Sequence, residues 1–364
     1  MAIRDLMPTS APIRPWRRAG FRGARALCAA MLVVAATGAT GARAQTVPIE
    51  TELLATRRLL LEVGPGLRGV CIGPGGDYYV LSAPGAAVLI YDPSGRRIGQ
   101  VPSHSASVAG NPAAIVFGES LDVDAAGRVV VADRGAGGVK VYAADGTLTA
   151  FIHVASPESV AFLEGGEGSE VAVASLSARR LITVYDTSGT LLREFGDASD
   201  LTDMDALPAP NAQAKMGVIA RDAAPNVYYA FAFLPDPTVL KYDRQGYAVT
   251  QISSKLPGPA TTPTKLSDAQ RELMARESGG APPPLQRVVT GMGVGREGQD
   301  LWVSAGTLLL HFDKDGNRLA SYRTYTPDGG RLETTVILVE ADRLLLGADP
   351  FGLYEFARPD KLTH

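Results

Sequence analysis

The stretch SLDVDAAGRVVVADRGAGGVKVYAADGTLTAFI, residues 120–152, decides the fold of this chain. It contains four short segments rich in β-branched and aromatic residues, separated by residues that favour turns. The third segment ends at Tyr142 and is followed by Ala-Ala-Asp-Gly. This tetrapeptide reverses the chain because the Asp side chain accepts backbone N–H groups and Gly adopts a positive φ. The stretch therefore predicts a small antiparallel sheet of four strands.

The end of the third strand recurs along the chain as an internal repeat. In each copy an apolar run ends in Tyr or Phe, and a turn that usually contains Asp and Gly follows. The aromatic residues are Tyr91, Tyr142, Tyr185, Tyr242, Phe312 and, in a degenerate last copy, Phe356. They are separated by 51, 43, 57, 70 and 44 residues, which fits units of about 40 to 50 residues with loop insertions. Six such units predict an all-β, six-bladed β-propeller.

The last copy is one strand short, because it contains only the segments 335–339, 343–348 and 353–356. Residues 57–63 precede the first copy and resemble the outer strand of the other blades, such as 191–195. An unpaired sheet edge would invite aggregation. We therefore expect residues 57–63 to complete the last blade and close the ring.

Residues 121–133, together with 139–142, resemble an NHL-repeat blade of the TolB-like six-bladed propellers. The resemblance extends over the mature chain and is sharpest in the second and third blades. It implies the propeller fold. It implies no single activity, because propellers of this group include lyases, lactonases and pure binding modules.

The first 44 residues have the three parts of a secretory signal. Arginines between positions 14 and 25 precede an apolar run at 26–36, and Ala42-Arg43-Ala44 forms a small-x-small cleavage site. A membrane-spanning helix needs about 20 apolar residues, so we expect no integral membrane anchor after cleavage. The mature domain, 45–364, is then periplasmic or secreted. Arg17-Arg18 leaves both Sec and twin-arginine export open.

Charge and cysteine content narrow the class of partner. The full chain has a formal net charge of −3, and the leader contains seven arginines and one aspartate, which leaves the mature part at about −9. Nucleic acid and anionic membranes are bound by clustered Lys and Arg, so neither is an expected partner. Cys71 is the single cysteine of the mature part, so no intramolecular disulfide is expected.

Residues 256–286 depart from the repeat between the fourth and fifth blades. The segment is rich in Pro at both ends, and Ser267 with Gln270 forms a capping-box start, which predicts one short helix inside a long loop. Loops of this length are uncommon unless they are functional or disordered. The segment is therefore either an arm over one face of the ring or a solvated insertion without a role.

Alignment of the blades places five charged residues where the innermost strands begin: Arg68, Glu119, Glu158, Lys215 and Glu333. We expect them to surround the mouth of the central channel and to form a ligand-binding site. Resemblance to regucalcin-like lactonases implies that the carboxylates could hold calcium, a hard cation that prefers oxygen ligands. Arg68 and Lys215 offer ion pairs that need no metal, so a mixed-charge mouth without a cofactor is the favoured alternative.

The remaining reactive residue types suggest no catalytic centre. Exported propellers similar to this one hold a metal through channel histidines. No metal-ligand spacing is found among the histidines of the mature chain, which are His104, His153, His311 and His364. Cys71 lies between Val70 and Ile72, where it is expected to pack. Asp133 is expected to cap the amides of a turn.

The leading hypothesis is accordingly a non-enzymatic binding or scaffold module that presents a loop-lined face to a protein, peptide or glycan. The alternative is a channel-mouth enzyme of lyase or lactonase type. It would use Glu119, Glu158 and Arg68, with or without a divalent cation.

Overall fold

The computed structural model describes residues 50–63, 65–82, 87–165, 168–197, 213–234, 236–256 and 286–360. These residues form six β-sheets. The first strand of each blade contacts the first strand of the next, and the sixth contacts the first, so the sheets surround a common axis. The predicted all-β, six-bladed propeller is confirmed. No helix in the described part is long and apolar enough to cross a membrane.

The first three blades each contain four antiparallel strands in chain order from the axis outward. Blade 1 consists of β3 (Leu67–Ile72), β4 (Tyr78–Ser82), β5 (Val88–Tyr91) and β6 (Arg97–Val101). Blade 2 consists of β7 (Gly118–Val123), β8 (Val129–Asp133), β9 (Gly138–Tyr142) and β10 (Leu148–His153). Blade 3 consists of β11 (Pro157–Leu163), β12 (Glu170–Ser175), β13 (Ile182–Asp186) and β14 (Leu191–Phe195).

The other three blades use the same order, and blades 5 and 6 also recruit the N-terminal segment, which provides β1 (Glu50–Leu54) and β2 (Arg57–Leu59). Blade 4 consists of β15 (Gly217–Arg221), β16 (Val227–Phe231), β17 (Thr238–Tyr242) and β18 (Ala248–Ser253). Blade 5 contains β19 (Val289–Val294), β20 (Asp300–Ala305), β21 (Leu308–Asp313) and β22 (Arg318–Tyr325). Blade 6 contains β23 (Val336–Val339), β24 (Arg343–Ala348) and β25 (Gly352–Ala357).

The turn between the third and fourth strands has the predicted chemistry. In blade 1, Asp92 Oδ1 accepts the backbone N–H groups of Ser94 and Arg96, each at 3.0 Å. The hydrogen bond from the Ser94 hydroxyl, followed by that from the Arg96 N–H, favours the ionised carboxylate and lowers the pKa of Asp92 to about 2. The turn glycines all have a positive φ: Gly95, Gly146, Gly189, Gly246 and Gly316. The repeat is therefore set by local backbone chemistry.

The hydrophobic core lies between neighbouring blades. The aromatic residue before the turn is fully buried in blades 1 and 2, where Tyr91 and Tyr142 are 1% and 0% exposed. Tyr142 packs in one cluster with Val88 of blade 1, and Phe312 packs in one cluster with Val239 of blade 4. The repeated aromatic therefore holds each blade against its predecessor.

The N-terminal strand closes the ring, as predicted. β2 pairs antiparallel with β25, and Leu59 lies opposite Leu353. The strand is shorter than the predicted 57–63, because the chain turns at Leu60, where φ is 48°. Leu60 and Val63 are buried in a cluster with Leu67 of blade 1. The segment thus joins the last blade to the first.

A further pairing was not predicted from the sequence. β1 adds a fifth strand to blade 5 and runs parallel to β22, with Glu50 opposite Ser321. The chain then steps from blade 5 to blade 6 within two residues, since Ala55 N–H donates to Tyr325 O and Thr56 N–H donates to Glu355 O. The N-terminal segment therefore pairs with the outer edges of two blades.

The predicted helical insertion lies almost wholly outside the described residues. Only its end residues, Leu256 and Gln286, belong to the described part, and they connect β18 to β19. The helix expected after Ser267 stays a prediction.

Candidate functional site

Four of the six inner strands share an irregularity where they enter the channel. In β3, β7, β11 and β19 the register shifts after the first residue of the strand. Such bulges re-aim a side chain and are frequent next to binding sites. The residues at the bulge are Arg68, Glu119, Glu158 and Thr290.

Charged residues meet at this end of the channel in what we call the mouth cluster: Arg68, Glu119, Arg134, Glu158 and Arg287. Arg134 Nη1 lies 2.9 Å from Glu119 Oε1 and 3.4 Å from Glu158 Oε1. Arg68 Nη1 lies 3.6 Å from Glu119 Oε2. Both oxygens of Glu119 therefore face a guanidinium group.

Arg287 completes the cluster from the residues before β19. Its Nε donates to Val289 O at 3.1 Å, and its charge acts on both carboxylates. Burial lowers the pKa of Arg287, although Glu158 and Glu119 favour its charged form. Burial, together with the nearby charge of Glu119, raises the pKa of Glu158. The cluster thus holds three guanidinium groups and two carboxyl groups in a partly desolvated place.

An exposed apolar loop lies against the arginines. Arg68 Cζ lies 5.2 Å and Arg134 Cζ 5.9 Å from the centroid of the Phe117 ring, within cation–π range. Phe117 is 37% exposed and its neighbour Val116 is 65% exposed. A Cβ on Gly135 would lie 2.8 Å from Phe117 Cβ and from Val116 Cγ1. Only glycine at 135 therefore permits this close approach.

The buried carboxylate of Asp133 fixes that loop. Asp133 Oδ2 accepts the N–H of Val116 and Oδ1 accepts the N–H of Phe117, both at 2.9 Å. Lys140 Nζ lies 2.9 Å from Asp133 Oδ2, and both side chains are almost fully buried. The prediction that Asp133 caps turn amides is confirmed. In doing so it places Phe117 at the mouth.

The structure brings together three of the five residues that the sequence indicated, Arg68, Glu119 and Glu158. The other two, Lys215 and Glu333, form no ion pair with the mouth cluster in the described part of the chain. The Lys215 carbonyl accepts a hydrogen bond from the Tyr229 hydroxyl, and Glu333 is exposed. Their role in ligand binding stays a prediction.

Sequence reasoning did not assign Arg134 or Arg287 to the mouth. Arg134 could have been found from its position directly after Asp133, the residue that the repeat indicated as a cap.

A calcium ion would have to displace a guanidinium group from each oxygen of Glu119. The donor set therefore suits arginine pairing better than a cation.

A second polar group joins inner strands where they leave the channel. Arg221 Nε donates to Asp122 Oδ2 at 2.9 Å, and the same oxygen accepts the N–H of Phe162 at 2.8 Å. These contacts connect blades 2, 3 and 4.

Cys71 packs partly buried against the core of blades 1 and 2, as predicted. Burial, with a smaller effect of Asp122, raises the pKa of its thiol, so it is not an activated nucleophile.

One group of described side chains, Asp300, His311 and Asp360, has the spacing of metal ligands. Arg358 already occupies the position of a cation there. Its Nη2 lies 2.8 Å from Asp300 Oδ2 and 2.6 Å from Asp360 Oδ2. His311 stacks on Trp302 with ring centroids 3.9 Å apart. The group is explained as an ion-pair network that anchors the residues after β25.

A cleft of about 600 Å³ lies between blades 3 and 4. Its carboxylate Glu170 is paired within the cleft, since it accepts two hydrogen bonds from Arg193, at 3.1 and 2.7 Å, and a third from Arg244 Nε at 3.3 Å. The cleft is therefore a seam between two blades, and the mouth cluster is the better candidate for a functional site.

No family model matches the sequence, and no curated protein matches it. Among solved structures, virginiamycin B lyase from Staphylococcus aureus is similar with a TM-score of 0.48 and 14% identity, covering 82% of this chain and 96% of that chain. Hydrazine synthase from Kuenenia stuttgartiensis is similar with a TM-score of 0.49 and 12% identity, covering 86% and 99%. Activity does not transfer at such identities.

Proposed function

We propose that this chain is an exported binding or scaffold module that contacts a protein, peptide or glycan partner through the face around the mouth cluster. We also propose that its blades are of the NHL-repeat, TolB-like kind. Residues 1–44 would act as the cleaved secretory signal, so that the mature domain works in the periplasm or outside the cell. The N-terminal residue of the purified protein tests this part, because cleavage predicts Gln45.

One observation carries the binding proposal. At the mouth the carboxylates are held in ion pairs, while guanidinium groups, Val116 and Phe117 are exposed. Arginine and aromatic side chains are enriched at protein interfaces and among the residues that dominate binding energy. A face of this composition favours recognition.

The test places a photo-crosslinking residue on the mouth face and, as a matched control, on the outer rim. Val116 and Leu319 suit this pair, since they are 65% and 52% exposed. We expect a periplasmic extract to give a discrete adduct from position 116 and none from position 319. Identical adduct patterns from both positions, or none from 116, would contradict the proposal.

The raised pKa of Glu158 favours a second candidate, the channel-mouth enzyme of lyase or lactonase type. A carboxyl group whose pKa is raised holds its proton to a higher pH than usual, which suits a general acid. This candidate predicts bound metal in the purified protein, or a rise in melting temperature with calcium that Glu119→Gln abolishes. Absence of both results would remove the calcium-dependent form of the enzyme.

A further inference from the structure

We propose that the mouth cluster binds the C-terminal carboxylate of a peptide whose last side chain is apolar. The inference rests on the proposed binding function and names the chemical group that the mouth recognises. It is carried by three features of the site: surplus hydrogen-bond donors, excess positive charge and an adjoining apolar surface.

The arginines have donors to spare. Arg134 uses one atom, Nη1, for both carboxylates. Its Nε and Nη2 make no hydrogen bond to any described residue, and the same holds for both terminal nitrogens of Arg287, which pairs through Nε with Val289 O. A guanidinium fork matches the two oxygens of a carboxylate, which makes paired, charge-assisted hydrogen bonds.

The charge balance favours the same ligand. Among the described residues the cluster has three positive groups and two carboxyl groups, so a bound carboxylate neutralises the excess. The side chains of Glu119 and Glu158 are each 13% exposed. The side chains of Arg68 and Arg134 are 39% and 47% exposed, so a ligand can reach them, although water and salt partly screen the attraction. A neutral ligand group gains nothing from this arrangement.

The adjoining apolar surface favours a peptide over an acidic sugar. Val116 and Phe117 are exposed beside the arginines and are fixed by Asp133. An apolar side chain next to the carboxylate buries its surface here, whereas sugar hydroxyls placed against this loop would lose hydrogen bonds to water. Capture of a terminal carboxylate is one of the recurring modes of peptide recognition.

The ionisation of Glu158 adds a pH signature. The charged groups that face it are Glu119, Arg134, Arg287 and, across the cluster, Arg68. Protonation of Glu158 removes a negative charge that repels the ligand. Affinity for a carboxylate should therefore increase as the pH falls from 7 through the raised pKa of Glu158, and Glu158→Gln should flatten this increase.

The experiment uses the mature chain and a library of fluorescein-labelled hexapeptides with a varied last residue, each made as the free acid and as the amide. Fluorescence anisotropy at low salt gives the affinities. We expect at least one peptide with an apolar last residue to bind about tenfold tighter as the free acid, the size of one lost charge-assisted contact. Arg134→Gln and Arg287→Gln should abolish this difference, and Arg97→Gln, an exposed arginine of β6, should keep it.

The melting temperature of each variant shows whether it is folded. Arg134→Lys provides a second variant, which keeps the positive charge but loses the paired donors of the guanidinium group. Equal affinity of acids and amides, or tighter binding of oligogalacturonate than of any peptide, overturns the inference. Binding by no peptide overturns it too. In these cases an adduct from position 116 still supports the binding function, whereas loss of that adduct as well would mean that both proposals fail.

Discussion

Asp133→Asn tests whether a buried ion pair holds the mouth loop in place. Asp133 is 0% exposed, accepts hydrogen bonds from the N–H groups of Val116 and Phe117, and forms an ion pair with Lys140. The asparagine keeps the shape and one acceptor oxygen but loses the charge. Its NH₂ group would then face either a backbone N–H or the ammonium of Lys140, which are both donors.

The expected cost follows from the burial of the pair. Lys140 is 3% exposed, and among its described contacts its ammonium would keep the hydrogen bond to the Ala114 carbonyl and the Phe151 ring, 5.9 Å from Nζ, but no negative charge. Removal of one partner from a buried ion pair typically costs about 3–5 kcal/mol, because the other charge is left unpaired. Lys140→Met should cost less, about 1–3 kcal/mol, because Asp133 keeps the backbone N–H donors of Val116, Phe117 and Ala136. The double variant should recover at least about 1.5 kcal/mol of the summed losses.

Equilibrium unfolding in urea measures these free energies. Trp302 is the single tryptophan outside the predicted leader and is fully buried, so its fluorescence reports on the folded ring. Burial raises the pKa of Asp133, but the Phe117 N–H, Lys140 and the Val116 N–H outweigh it and lower the pKa overall. This contribution to stability is therefore present at neutral pH and is lost as the pH falls below about 4. A loss under about 1 kcal/mol for Asp133→Asn, with no coupling to Lys140→Met, would refute the reasoning.

Further predictions concern the closing segment, the buried histidine and the mouth loop. Leu60→Ala should lower the free energy of unfolding by about 2–5 kcal/mol, because Leu60 is only 4% exposed. Its neighbour Leu61 is 77% exposed, so Leu61→Ala should change this free energy by under about 0.5 kcal/mol. Equal losses for the two variants would contradict closure through Leu60. Burial lowers the pKa of His311 below its ordinary value of about 6.5. The stability that depends on neutral His311 is thus fully present above this value and is lost as the pH falls. His311→Gln should therefore reduce the pH dependence of urea unfolding between about pH 5 and 7. His153 is exposed, so His153→Gln should leave this pH dependence unchanged. Gly135→Ala should push the mouth loop away and reduce the ratio of free-acid to amide affinity; an unchanged ratio would show that the loop does not contribute to the site.

The blades could be predicted because their determinants are local. The Asp side chain and the following Gly form the turn within five residues, as in Asp92 to Arg96, and the aromatic residue marks the inter-blade core. Five copies of this chemistry, with a sixth degenerate one, were enough to set the number of blades. The closing role of residues 57–59 could be predicted as well, since an incomplete sheet requires a partner strand.

The mouth was predicted only in part, for a physical reason. Arg68, Glu119 and Glu158 occupy equivalent positions of successive inner strands, so alignment of the repeats found them. Arg134 comes from the turn after a second strand and Arg287 from the segment before β19. Arg134 lies beside Glu119 because β7 pairs with β8 and Gly118 lies opposite Asp133, whereas Arg287 reaches the cluster from another blade.

The amino-acid sequence by itself determined the strands, their turns, the sixfold repeat and the closing segment, because each depends on contacts within one blade or on one unpaired edge. Only the tertiary structure decided that β1 runs parallel along blade 5 and that Asp133 holds Phe117 beside two arginines. The β1 pairing and the contact of Arg68 with Phe117 join different blades or distant segments, so no local pattern encodes them. The bond from the Phe117 N–H to Asp133 lies within blade 2, but only the tertiary structure shows that it sets the Phe117 ring beside an arginine of blade 1.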